Sequence, residues 1–329
     1  MAQLVAAFGS SHSTMLFSAV ENWQALFDHI DRKAPIHDFE GTPRAYEDLL
    51  AATPARDAAK IAPDVIAERH RRTMAALDRL EADIAAANLD ALVIVGDDQR
   101  EIFTDDCRPA IAVYYGETIR NAAAPTEPAS DWFFQDQRGR LEDGADRYYP
   151  CDAALGAWLA AGLTARGFDI TALTALPDDR FEGHAYSFVH RRLLAADAPV
   201  PIVPVLINTY YPPNQPTPER CYELGRALRA LIADWPGEAR IGLFASGGLS
   251  HFLVNEALDD RIVEALRAGD LDTLRNLPLP LLGSGSSEIR NWIVVAAAAS
   301  DLALDWIEYV PAYRSRAMTG VGLGFAHWV

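Results

Sequence analysis

The sequence predicts an α/β fold: a single domain with a central mixed or parallel sheet flanked by helices. Three observations carry that reading. Apolar runs of strand length recur along the chain, and several are separated by segments of helical periodicity. The two longest helical patterns open at or beside a proline, where helices commonly start. Four strand-like or turn segments end in small residues and then one side chain capable of chemistry, as at the carboxyl edge of an open sheet.

Residues 4–8 read as a first strand, not a signal peptide, because no basic stretch precedes the apolar run. Residues 19–60 are polar, with Trp23, His29 and His37 among short helical pieces. A long helix follows over 63–87, so residues 19–86 form a helical insertion and candidate cap within one domain spanning 1–329. Strands are predicted over 91–95, 110–115, 170–173, 201–208 and 241–245. Helices are predicted over 218–235 and 289–299. Residues 117–150 carry charge, Pro and Gly with little periodicity, the signature of a lid or binding surface.

The 329 residues are 50% hydrophobic and 23% charged, enough for a sizeable core without staples. Cys107, Cys151 and Cys221 show no CxxC spacing, which argues against a disulfide framework or structural zinc and for a cytoplasmic setting. A net charge of −17 with no Lys/Arg block excludes nucleic acid and anionic membranes as partners. No apolar run is long enough to span a bilayer.

The chemistry-bearing segments are VAAFGSSH ending at His12, LVIVGDDQ ending at Gln99, IGLFASGGLSH ending at His251, and LLGSGSSEIRNW with Glu288 at a helix start. Each also has a plain structural reading. His12 fits a polar helix-entry residue, the glycines before His251 fit a tight turn, and Glu288 fits a capping-box acid. Together, two imidazoles and a carboxylate at sheet edges fit the ligand set of a non-haem iron site.

GSSHSTML, NTYYPPNQPTPERCYELG, ASGGLSH and GSSEIRNWIVVAAA, in this order, resemble the class III extradiol ring-cleaving dioxygenases. The likeness is to the catalytic subunit of protocatechuate 4,5-dioxygenase and its gallate-cleaving relatives, and it is weakest over residues 19–86. The resemblance implies Fe(II) as cofactor, with His12 and Glu288 as metal ligands and His251 as acid–base catalyst. His184, in EGHAYSFVH, matches an active-site His bordering substrate and iron. Where the family carries Asn-Asp-His with its second His ligand, this chain has Asp97-Asp98-Gln99. Three accounts follow, in this order: Gln99 is a metal ligand directly or through water; His37, His184 or Glu101 fills the place; or the metal is lost.

The resemblance therefore implies Fe(II)-dependent extradiol opening of a catechol-type aromatic with O2, such as protocatechuate, gallate or an O-methylated gallate. His251, an imidazole that titrates at roughly pH 6.5 when unperturbed, would take and return a phenolic proton. Gly248 and Ser250 would let the ring approach closely, with Tyr211 in an apolar wall. For an acidic substrate, Arg220, Arg290 and Arg314 are candidate partners. The alternatives are an aminophenol or hydroxypyridone substrate, or a metal-poor relative that binds a ligand in the same cleft. The family also implies a homo-oligomer, a dimer being the simplest. Its small helical partner subunit is not visible in this chain, and residues 19–86 could cap the cleft in its place.

Overall fold

In residues 91–97 every side chain is buried, with Val93 and Val95 packed into one apolar layer and Leu92 and Ile94 into another. A strand alternates its side chains between two faces, so a continuous apolar run means both faces are covered. The structure, a computed structural model, describes residues 2–32, 36–39, 41–177 and 179–329. Nine strands form its main sheet. They are β1 (Gln3–Ser10), β2 (Ala91–Asp97), β3 (Ile111–Tyr114), β4 (Ile170–Leu173) and β5 (Ile202–Ile207). Then come β6 (Arg240–Ser246), β7 (His251–Leu253), β8 (Leu304–Tyr313) and β9 (Thr319–Trp328).

The spatial order is β7-β9-β1-β6-β2-β5-β3-β4, with β8 along the other edge of β9. Strands β1, β6, β2 and β5 run parallel, whereas β3 opposes β5 and β9 opposes β1, so the sheet is mixed. In register, Ser10 lies beside Ser246, Ala245 beside Val95, and Asp97 beside Ile207. Four parallel strand ends are thereby aligned along one edge.

Helices α1 (Pro63–Ala86), α2 (Ala153–Ala165), α3 (His184–Arg192), α4 (Pro218–Ala233), α5 (Glu256–Ala268) and α6 (Ile289–Ala298) cover the two faces. Leu159 of α2, Leu228 of α4, Ile262 of α5 and Ile293 of α6 pack with Val93 and Val95. Leu77 and Leu80 of α1 pack with Phe188 of α3, Trp23 and Ile94 on the opposite side. Helix α4 starts with Pro218 in its first turn, where a missing N–H costs nothing, and Thr217 caps it through the Arg220 N–H. Among the described residues no helix is long and apolar enough to cross a membrane.

The hairpin β8–β9 has no counterpart among the expected strands. Its second arm, TGVGLGFAHW, is rich in glycine, which does not read as strand, yet every residue in it is buried. Packing explains the glycines: a Cβ at Gly324 would sit 3.2 Å from the Trp292 ring, and one at Gly322 would strike the Asp259 carboxylate.

Candidate active site

The aligned strand ends deliver their following residues into one cavity of about 510 Å3. His12 comes from beyond β1, Gln99 from beyond β2, Tyr210 from beyond β5, and Gly248 and His251 from beyond β6, while Asp97, the last residue of β2, is fully buried beside them. From outside the sheet, α3 contributes His184 at its first position, and Glu288 stands immediately before α6. Glu288 makes no capping hydrogen bond, because its carboxylate is turned into the cavity.

His12, Asp97, His184 and Glu288 are all buried, and one ligand atom from each lies within 4.8 Å of the others. His12 Nε2 is 3.2 Å from Glu288 Oε2, 3.8 Å from Asp97 Oδ1 and 3.2 Å from His184 Nε2. Hydrogen bonding on the far side fixes each ring. The Ser246 hydroxyl donates to the Ala185 carbonyl at 2.7 Å, so at 2.9 Å it can only accept from His12 Nδ1–H. His184 Nδ1 lies 2.6 Å from Glu101 Oε2, and the Glu101 carboxylate also accepts the His184 backbone N–H. Both Nε2 atoms therefore face the cluster, the arrangement of a metal-binding imidazole backed by a second hydrogen bond.

With only protons to balance its charges, the cluster holds some of its groups in the protonated form. Burial, with Glu288 beside it, pushes the Asp97 carboxyl up to about 8. Burial lowers His12 despite the pull of Glu288. For His184 burial works downward but is outweighed by Glu101 and Asp97, which raise it to about 9. Burial would raise Glu101 and Glu288, yet His184 holds Glu101 down at about 2, and His251 with His12 holds Glu288 well below the carboxylate range. Asp97 Oδ1 is buried with no hydrogen-bond partner. An orphaned carboxyl oxygen beside two imidazole Nε2 atoms that face each other fits a divalent cation taking the place of protons, and a nitrogen-plus-carboxylate donor set suits a first-row transition metal.

Gln99 stands beside this cluster. Its Nε2 is 3.4 Å from Asp97 Oδ2, from His184 Nε2 and from Glu288 Oε1, three long contacts and no short one. Asp98 turns away: its carboxylate accepts the N–H groups of Ile102 and Phe103 at 2.8 and 3.1 Å and pins the turn after β2. Glu101 lies behind His184, and His37 lines a different cavity beside Ser284 and Ser286.

His251 sits at the rim of the cluster. Its Nδ1–H points at the Leu249 carbonyl at 2.9 Å, and its Nε2 is 3.1 Å from Glu288 Oε1. Burial lowers its pKa, but Glu288 outweighs burial and raises it. Tyr210 donates to Glu288 Oε1 at 2.9 Å, and its hydroxyl is 3.3 Å from His251 Nε2. Burial, reinforced by Glu288, keeps that phenol protonated.

Two expected substrate contacts are not brought to the cavity. The Ser250 hydroxyl donates to Asp259 at 2.7 Å and accepts the Asn255 N–H at 2.7 Å, so both its roles are taken below the turn. Tyr211 does not line the cavity; its ring lies 6.0 Å from that of Tyr210 and under the guanidinium groups of Arg100 and Arg108. Gly248 does line the cavity, and its N–H donates to Glu288 Oε2 at 2.7 Å. His190 is a core residue, stacked on Tyr149 and 2.7 Å from Glu182. From residues 19–86 the cavity takes Ile30, whereas Phe133, Phe134, Gln137 and Arg140 come from the irregular 117–150 segment.

Residues 149–326, more than half of the chain, match the profile of the catalytic LigB subunit of aromatic ring-opening dioxygenases. That stretch contains His184, Tyr210, His251 and Glu288, while His12 and Gln99 reach the same cavity, and Asp97 the same cluster, from outside it. The chain is also 30% identical over 161 residues to a gallate dioxygenase of Pseudomonas putida strain KT2440, a match covering 45% of this chain and 46% of that one. The match thus spans about half the length of that relative. The folded cavity and the matched sequence together place the chain in the LigB family of catalytic subunits of aromatic ring-opening dioxygenases.

Proposed function

We propose that this protein opens a catechol-type aromatic ring with O2 as a non-haem Fe(II)-dependent extradiol dioxygenase. The observation that supports it most is the convergence of His12, Asp97, His184 and Glu288 on one buried point of a cavity large enough for a small aromatic acid. On this reading His12, His184 and Glu288 hold the metal, Asp97 stands as a fourth donor, and Gln99 flanks the site. His184 takes the role that the sequence leaves open at Gln99. When bound, Fe(II) supplies Lewis-acid activation of two adjacent ring oxygens and a path for electrons from ring to oxygen.

The chain's own groups do the rest. His251 receives a phenolic proton at Nε2, since its Nδ1–H is committed to the Leu249 carbonyl. Tyr210 remains protonated and holds Glu288 Oε1 in place while His251 exchanges its proton. Ile30 and Phe133 give the cavity an apolar wall that excludes water from the ring.

The test is oxygen uptake by anaerobically purified, Fe(II)-reconstituted protein across a catechol panel including 3,4-dihydroxybenzoate and 3,4,5-trihydroxybenzoate. Uptake with formation of a ring-opened product that keeps both diol oxygens and cleaves beside them is expected. No uptake with any member, at full iron occupancy, overturns the reading.

A further inference from the structure

We propose that Arg140 and Gln137 form a subsite for a carboxylate substituent on the ring substrate, which makes them specificity-determining residues. The inference rests on the ring-opening reading of the cavity but is carried by a separate set of observations.

The arginines are distinguished by what already holds them. Arg314 lines the cavity too, yet its guanidinium is buried against Asp31 through contacts of 2.7 and 3.1 Å, and its charge is spent. Arg290 donates to the carbonyls of Pro216, Leu282 and Ser287. Arg220 pairs with Glu223 and lies over the Phe168 ring. These three are the arginines the sequence offered as carboxylate partners, and each is engaged elsewhere.

Arg140 is different. It is half-buried, lines the cavity beside His184 and Glu101, and has no carboxylate within ion-pair distance among the described residues. Its guanidinium donates to Gln137 Oε1 at 2.8 Å. Glu101, the nearest acid, already accepts the His184 backbone N–H and faces His184 Nδ1 at 2.6 Å.

Gln137 supplies the second observation. A guanidinium can only donate, so the amide oxygen must face Arg140 and the NH2 must face away. That Nε2 is buried and has no hydrogen-bond partner among the described residues. Both side chains line the main cavity and also an adjoining one of about 370 Å3 that includes Pro125, Pro128 and Phe181. A guanidinium that no carboxylate touches, with Glu101 acting on it only at a distance, and an orphaned amide donor at the junction of two cavities match the needs of a planar carboxylate. A neutral substituent there would leave both unsatisfied.

The experiment is calorimetric binding, under anaerobic conditions, of 3,4-dihydroxybenzoate and its methyl ester to Fe(II)-loaded protein. The wild type should bind the acid about tenfold more tightly than the ester or better. Arg140→Met should bring the two within about twofold, Arg140→Lys should keep part of the difference, and Gln137→Leu should weaken the acid alone by a few-fold. Thermal melting identifies any variant that fails to fold. If Arg140→Met does, loss of acid preference in Arg140→Lys or Gln137→Leu supports the subsite, and full preference in both overturns it. Equal binding of acid and ester by the wild type, or undiminished preference in folded Arg140→Met, also overturns it. Oxygen uptake reports separately: acid preference without turnover leaves the subsite standing and removes the ring-opening reading, and turnover without preference does the reverse.

Discussion

His12 Nε2 and His184 Nε2 lie 3.2 Å apart although 172 positions separate the residues. Each ring has spent its other nitrogen, His12 on Ser246 and His184 on Glu101. Two inward-facing Nε2 atoms that close need a proton or a cation between them, and a bound metal would replace the proton. His184→Ala should therefore empty the metal site, while Gln99→Ala should leave metal content nearly unchanged. Metal analysis of the two variants beside wild type checks this; the reverse pattern would make Gln99 the ligand.

On the proposed reading, Glu101 would act on the metal through His184. Glu101→Gln keeps a hydrogen bond to the ring but removes the charge that makes the imidazole a strong donor. Metal affinity should fall by about ten- to a hundredfold. Competition with a chelator of known affinity measures it, and an unchanged affinity would sever Glu101 from the site.

His251 touches Glu288 but stands at the rim of the cluster. His251→Ala should retain the metal and lower turnover by about a hundredfold or more, the size of a general acid–base contribution. Glu288→Ala, by contrast, should lose the metal itself. Iron content and turnover measured on both variants separate the roles, and an iron-free His251→Ala would reverse them.

A methyl group at Gly285 would land on the His251 ring. Gly285→Ala must therefore displace that imidazole or the turn before Glu288, at a cost of about 1–3 kcal/mol in stability. Turnover should fall toward that of His251→Ala with metal retained. Equal activity and melting temperature in Gly285→Ala and wild type would show that the turn yields freely.

Asp259 gives a pH prediction outside the metal cluster. Burial raises its carboxyl to about 6, against the hydrogen bonds from Ser250 and Tyr309 that favour the charged form. The folded state thus binds this proton more tightly than the unfolded chain. Its contribution is greatest below about pH 4 and is lost as pH rises through 6, in total about 3 kcal/mol. Urea unfolding of wild type and Asp259→Asn between pH 4 and 7 should show a shallower decline in the variant; parallel profiles would contradict it.

The parallel strands were legible because double-sided burial writes itself as unbroken apolar runs: the expected 91–95 and 241–245 became Ala91–Asp97 and Arg240–Ser246. Helix α4 was legible from Pro218 and its apolar spacing. The hairpin β8–β9 was not, since its glycines answer to Trp292 and Asp259, contacts that no local pattern encodes. In the site, strand ends pointed to His12, Gln99 and His251, but nothing local ranked Asp97 above Asp98. That distinction arises when Asp98 is consumed by backbone N–H groups and Asp97 Oδ1 is left bare. Tyr210 and Tyr211 likewise differ only in which way the chain turns after β5. Arg140 lay in a segment without periodicity, where only the tertiary neighbours show that no carboxylate touches it.

The placing of β1 between β6 and β9 has a kinetic meaning. During synthesis the strand Gln3–Ser10 is made before its neighbours, residues 240–246 and 325–328. Until those are made, an apolar strand and the histidine that follows it wait unpaired, exposed to other nascent chains. Pairing across such separations is slow, because a long loop must close before any contact rewards it. Glu288 also follows late, so iron delivered to a partly made chain would meet only scattered ligands. The four clustered side chains can therefore meet at one point only once the whole of this sequence has been made.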